Sequence, residues 1–159
     1  MPSNRKQVKG IRGKYRMIER RYVVEYVFKK FKEAVWRGFN VRLGIPPEEW
    51  RKRYPELSHR WWKVWMAYAD AVVVTDDAIW IIEAKIRNPR TAIGQLLDYR
   101  ERLKVTPEFK QWLNRPIKLL LVIPIPAPEI ESLAKNYGIE VDHYLPEWVA
   151  NYMREVGLL

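Results

Sequence analysis

The chain of 159 residues contains no cysteine, which excludes disulfides, thiolate zinc sites and cysteine-ligated iron–sulfur clusters. Its two histidines, His59 and His143, are too few for most histidine-based metal sites. Any metal must therefore sit on oxygen ligands, which leaves Mg²⁺, Mn²⁺ or Ca²⁺. No apolar run approaches the length of a membrane span, and the basic start of the chain has no signal-peptide hydrophobic region behind it. No membrane partner is expected, and the expected compartment is the cytoplasm. No internal repeat is visible.

What the chain does have is apolar and aromatic material, with 48% hydrophobic residues and eight Trp, which excludes a disordered protein. The length suits a single domain over residues 1–159 with a sizeable core. The net charge is +10, and its placement says more than its size. Residues 1–37 hold twelve Lys/Arg against three Glu, a local excess of nine, whereas residues 66–100 hold four basic and five acidic residues. A basic stretch beside an acidic one suits a metal-dependent enzyme acting on a nucleic acid, although a solvated surface or an anionic-membrane patch fits the charge count as well.

Residues 1–13 read as a flexible basic arm. From Lys14 to Trp36, apolar residues recur at three and four (Met17, Ile18, Tyr22, Val23, Tyr26, Val27, Phe31, Val35), which predicts an amphipathic helix ended by Gly38. Phe39 to Leu43 reads as a first strand. Residues 44–66, rich in Trp, Arg and Pro, read as an insertion with a short helix from Pro47. Trp61, Trp62 and Trp65 beside Arg60 and Lys63 suit nucleic acid, but such clusters more often belong to a core or an oligomer interface, and a homodimer is an open expectation. Next come two strands around Asp76-Asp77, a helix from Thr91 to Lys104, and the continuous apolar strand Ile117 to Ile123. A helix near Pro128 to Tyr137, a strand at Ile139 to Tyr144 and a helix from Pro146 to Val156 complete the chain. The alternation predicts an α/β fold, a central mixed sheet flanked by helices.

The pair of strands holds the candidate chemistry. With Asp76-Asp77 at the turn, paired residue numbers add to 153 and Asp70 faces Glu83 across the ladder. Opposed carboxylates in an apolar hairpin repel, so a cation is expected between them. Asp-Asp lacks the glycine a two-residue turn prefers; a four-residue loop from Thr75 to Ala78 keeps the same register, whereas a three-residue loop would shift it by one and move the carboxylates apart, both still lining one end of the sheet. Glu83 and Lys85 are two apart and share a face, while Ile82, Ala84 and Ile86 take the other. A surface Glu/Lys pair is the plain alternative. Against it, Trp80-Ile81-Ile82 reads as a buried strand whose polar end emerges at a site.

Asp70 followed by Glu83-Ala84-Lys85, with a helix before and after, resembles the PD-(D/E)xK nuclease superfamily. The spacing is similar to that of archaeal Holliday-junction resolvases, which carry a glutamate early in the first helix. Glu19, with Tyr22, Val23 and Tyr26 behind it, matches that pattern better than Glu25 does. Gln95 and Tyr99 resemble the Gln-x-x-x-Tyr motif of RecB-like and CRISPR-associated members; four apart on a helix, they share a face. No proline precedes Asp70, and the cysteines of the cluster-bearing subgroup are absent, so no iron–sulfur cluster is expected.

The resemblance implies a restriction-endonuclease-like αβββαβ core with a C-terminal αβα extension, and Mg²⁺-dependent hydrolysis of DNA in recombination or repair, in a cell, a phage or a mobile element. Mn²⁺ can stand in for Mg²⁺. It implies catalytic roles for Asp70, Glu83, Lys85, Glu19, Gln95 and Tyr99, with metal held by Asp70, Glu83, the Ala84 backbone carbonyl and, as an option, Glu19. Glu19 paired with a neighbouring Arg, and Gln95 and Tyr99 as helix-packing residues, are the alternatives. Arg12, Lys14, Arg16, Arg20 and Arg21 are the candidate DNA-backbone contacts. A catalytically silent nucleic-acid-binding or packaging protein is the rival reading.

Overall fold

The computed structural model describes residues 5–159, with side chains from Gly13 onward. Helix α1 (Arg5–Lys30) buries Tyr22, Val23, Tyr26 and Val27, the three-and-four spacing of one helical face. It starts inside the segment expected to be an arm, of which residues 1–4 lie outside the described residues. It also ends earlier than Trp36. Lys29 and Lys30 favour the last turn, and Arg37 Nη2 donates to the carbonyl oxygens of Phe31 and Lys32 at 2.6 and 2.9 Å. Val35 N–H then donates to Val74 O at 2.8 Å, which draws the chain into the sheet. Met17 and Val35, expected inward, are exposed.

Strand β1 (Trp36–Leu43) is followed by two short helices, α2 (Pro47–Arg53) and α3 (His59–Trp65). Neither has a buried residue, so the Trp cluster of the insertion is not core. Strands β2 (Ala67–Val74) and β3 (Ile79–Ala84) form the expected hairpin, helix α4 (Arg90–Leu103) and a 3₁₀ turn (Pro107–Trp112) lead to β4 (Ile117–Ile123), and α5 (Pro128–Asn136), β5 (Ile139–His143) and α6 (Glu147–Glu155) complete the fold. The sheet order is β1-β2-β3-β4-β5, antiparallel on the β1 to β3 side and parallel from β3 to β5. The fold is thus α/β, a mixed five-stranded sheet flanked by helices in the order αβββαβ and then αβα, with α2 and α3 inserted between the first two strands and the 3₁₀ turn before β4.

The two faces bury separate cores. On one, α4, the 3₁₀ turn and α5 cover Val72, Val74, Ile79, Ile81, Leu119 and Leu121. On the other, α1 and α6 cover Ala71, Val73, Ile82, Ala84, Leu120 and Val122. Within β2, Ala69 lies in the first core and Ala71 in the second, although residues two apart in a strand normally share a face. Strand β1 changes face at the matching place, with Phe39 in the second core and Val41 and Leu43 in the first. Between them Asn40 adopts a left-handed φ of 49°, which Asn tolerates better than most residues, and the β1–β2 pairing skips Asn40 and Asp70 while keeping its register. Both strands bend at Asp70.

Gly38 lets the Trp36 ring lie over β1. A Cβ there would stand 2.3 Å from Trp36 Cη2, and that ring is fixed against Phe109 and Trp112. Gly94, on the exposed face of α4, has open space. Gly38→Ala should therefore destabilise by about 1–3 kcal/mol through overpacking. Gly94→Ala should stabilise by about 0.5–1 kcal/mol through helix propensity. Urea unfolding of the two variants reads both; equal effects would contradict the packing described.

Candidate active site

Strand β3 is held on one edge by β4, with Lys85 N–H donating to Val122 O at 2.9 Å. On the other edge it pairs with β2 only as far as Ala71 opposite Ile82, in the expected register. Beyond that point the carboxylates replace the ladder. Asp70 N–H donates to Glu83 Oε1 at 3.1 Å, and Ala84 N–H donates to Asp70 Oδ2 at 3.0 Å. Because N–H and C=O of one strand residue point to the same edge, the Ala84 carbonyl also faces the Asp70 side. Lys85 Nζ lies 3.2 Å from Glu83 Oε2.

Glu83 is almost fully buried, with a side chain 2% exposed. Burial disfavours its charge, the neighbouring Asp70 adds to this, and Lys85 only partly offsets both, so its carboxyl is pushed up to about 8. Burial pulls the Lys85 ammonium down, but Glu83, Asp70 and Glu19 more than compensate and hold it above the usual lysine value. It is therefore a fixed positive charge near neutral pH.

Glu19 reaches the site from α1. Its Oε1 accepts from Tyr15 Oη at 2.6 Å and from Ile86 N–H at 3.2 Å, and Arg87 N–H donates to Tyr15 Oη at 3.1 Å. Burial raises the Glu19 carboxyl above the usual range. Glu25, by contrast, accepts from Tyr144 Oη and Trp148 Nε1 at 2.6 and 2.8 Å and ties α1 to α6, away from the site. A cleft of about 440 Å³ opens over the carboxylates, lined by Arg16, Glu19, Arg20, Asn40, Asp70, Lys85 and Gln95.

The remaining candidates separate. Gln95 Nε2 donates to Tyr99 Oη at 3.5 Å, and Gln95 Oε1 is buried without a partner. Tyr99 lies in the core beneath α4, 6% exposed, so its ring is not available to stack on a base. Burial, then Glu83 and Asp70, raise its hydroxyl above the ordinary value. Arg16 and Arg20 line the cleft, whereas Arg21 lies over the Trp148 ring at 4.0 Å, and Lys14 lines a separate groove between α1 and α6. The Arg12 side chain lies outside the described residues. Among the described residues, no three His, Asp or Glu side chains converge closely enough to hold a metal ion. Asn40 and Tyr15 were not anticipated. Asn within a strand, a residue tolerant of left-handed backbone, was the available signal for the first; Tyr15, four residues from Glu19 on one helix face, was the signal for the second.

No protein-family model matches the chain, and no curated protein is similar to it in sequence. Among solved structures, a repair endonuclease from Pyrococcus abyssi is 23% identical over 50% of this chain, with a TM-score of 0.40. The match covers 33% of that chain, about a third of its length. Among the described residues, no helix is long and apolar enough to cross a membrane.

The raised Glu83 carboxyl makes a pH prediction. Between about 4.5 and 8 the folded protein holds this proton and the unfolded chain does not, so the group's contribution to stability falls as pH rises through that window. Glu83→Gln keeps an acceptor for Asp70 N–H and removes the charge. In metal-free buffer its melting temperature should match the parent's near pH 5 and exceed it increasingly toward pH 8. A constant offset across that range would mean that Glu83 ionises normally.

Proposed function

We propose that the protein is a nuclease of the PD-(D/E)xK type, hydrolysing phosphodiester bonds in DNA with the help of Mg²⁺, for which Mn²⁺ can substitute. The observation that carries this reading is a buried, charge-crowded Glu83 beside Asp70 and Lys85, under a cleft lined by Arg16 and Arg20. Such perturbed titratable groups concentrate at functional sites. The donor set fits a hard cation. Asp70, Glu83 and the Ala84 carbonyl offer oxygen ligands alone, the donors a hard cation prefers.

Asp70, Glu83 and the Ala84 carbonyl would hold the ion, with Glu19, which lines the same cleft, as an optional further ligand. When bound, a divalent cation there supplies Lewis-acid charge and activates water for attack on phosphorus. Lys85, a permanent cation, steadies the developing negative charge on the phosphoryl oxygens rather than accepting a proton. Gln95 Oε1 offers an acceptor to a bound water or to a hydroxyl. Arg16 and Arg20 hold the flanking backbone phosphates.

A second reading has its own observation. Glu83 Oε2 is already paired with Lys85 and Oε1 with Asp70 N–H, so the trio is satisfied without a metal, as a silent nucleic-acid-binding or packaging protein would require. Single-turnover cleavage beside DNA binding in Ca²⁺ separates the two. Lys85→Ala should retain binding and cut roughly a hundredfold or more slowly, the size of one lost electrostatic group. A parent protein that binds DNA but cuts neither duplex, branched nor single-stranded substrates in Mg²⁺ or Mn²⁺ would establish the silent reading.

Neutralising Arg16 and Arg20 together should also lower the slope of log affinity against log salt by about two units, nearly one per phosphate. An unchanged slope would place the polyanion elsewhere on the surface.

A further inference from the structure

The insertion between β1 and β2 is poorly explained by folding. Its helices α2 and α3 have no buried residue, yet they carry four Trp side chains with Tyr54 at the end of α2, and Tyr54, Trp61 and Trp65 are respectively 42%, 56% and 48% exposed. Trp50 stacks between Tyr54 and Trp65, with centroids 5.0 and 6.2 Å away and ring planes within 28° and 26°. The outer faces of Tyr54 and Trp65 are left open. Trp61 stands on the same side of α3 as Trp65, four residues earlier.

Charge accompanies the rings. α3 contains Arg60 and Lys63 and no acid, and among the described residues Arg51, Lys52, Arg60 and Lys63 have no carboxylate within salt-bridge distance. The insertion is anchored, since Arg102 Nη1 of α4 donates to Trp65 O at 2.7 Å and Gly44 N–H donates to Thr106 Oγ1 at 2.8 Å. It is also continuous with the cleft. β2 begins at Ala67, passes the exposed Tyr68 and reaches Asp70, an advance of about 10 Å at the rise of an extended strand.

We propose that this insertion is a docking surface for an unpaired DNA strand, whose bases stack on Trp61, Trp65 and Tyr54 while its phosphates meet Lys52, Arg60 and Lys63, with Arg51 held over the Trp62 ring at 5.3 Å. Near-parallel exposed rings interleaved with basic side chains match single-stranded nucleic acid, because every base offers a π face. Exposed Trp and Tyr also serve protein and membrane interfaces; what favours a polyanionic strand here is the set of cations without carboxylate partners beside the rings, with only Val64 as an aliphatic anchor on α3. The proposal rests on the nuclease reading for one point alone, that the strand continues into the Asp70 cleft; there it identifies the substrate as DNA with a single-stranded segment.

The test is binding without turnover, by anisotropy of labelled oligothymidylate and of a blunt duplex in Ca²⁺. Trp61→Ala and Trp65→Ala should each weaken binding of the single strand about tenfold and leave the duplex nearly unchanged. Trp61→Phe should restore most of the loss, and Val64→Ala, 78% exposed on the same helix, should change nothing. Circular-dichroism melting of the Trp61 variants should match the parent, since that ring is exposed and stands outside the Trp50 stack, while Trp65→Ala, which removes one ring of that stack, should melt slightly lower. Equal losses for duplex and single strand, no loss at all, binding to phosphatidylserine vesicles that needs Trp61, or a parent dimer that dissociates on Trp61→Ala would each overturn the proposal. A protein that holds the single strand through these rings yet never cuts keeps the platform and removes the cleft's chemistry; one that cuts normally without them does the reverse.

Discussion

Burying a carboxylate costs several kcal/mol unless hydrogen bonds and opposite charge repay it, and Glu83 is buried beside a second carboxylate. The local backbone is arranged around that problem. Asp70 N–H and Ala84 N–H leave the β2–β3 ladder to serve the two carboxylates, so the hairpin stops pairing at Ala71 and Ile82. The strands part there, and the parting makes a cleft. Lys85 completes the arrangement from the same strand face, held at full charge by the carboxylates it offsets.

The bend at Asn40 and Asp70 follows from the same place. Had β1 and β2 kept one parity throughout, Ala69 and Ala71 would lie in one core; instead they lie in two. The strands cross from one layer to the other at Asp70, which puts its side chain at the boundary between the α4 face and the α1 face. That is why α1 supplies Glu19 and α4 supplies Gln95 to a single cleft. Helices on opposite sides of a sheet reach one site only where the sheet itself ends or turns.

Much of this was legible in the residues. The hairpin register followed from placing Asp76-Asp77 at the turn centre, but a three-residue loop shifting it by one was excluded only by the structure, because strands buried on both faces carry no alternation that fixes a register. The strand Ile117 to Ile123 followed from an uninterrupted apolar run ended by proline. The end of α1 was not legible, because Val35 and Trp36 continue a helical spacing and the cap that stops the helix, Arg37, is an ordinary arginine until its carbonyl partners are known. The choice between Glu19 and Glu25 was only partly legible: each precedes apolar residues, and what separates them is a contact more than a hundred residues away, Glu25 with Tyr144 and Trp148. Tyr99 shared a helix face with Gln95 as expected, but one turn along α4 was enough to carry it from the cleft into the core.

The contrast between the two parts of the proposed DNA path has a physical basis. Asp70 sits at the bend within β2, and Glu83 and Lys85 at the end of β3, beside the fully buried Ala71, Ile82 and Ala84, so their geometry is fixed by packing that a bound strand cannot disturb. α2 and α3 bury nothing and are held by Arg102, Thr106 and their own stacked rings. Few buried contacts mean a low free energy for local rearrangement. A reacting phosphate needs the first kind of surface, in which a small displacement costs rate, while bases of any sequence need the second, in which rings can adjust to what stacks on them. Rigid carboxylates at a bend in the sheet, next to an adjustable aromatic rim, therefore suit an enzyme that reads the form of its substrate and not its sequence.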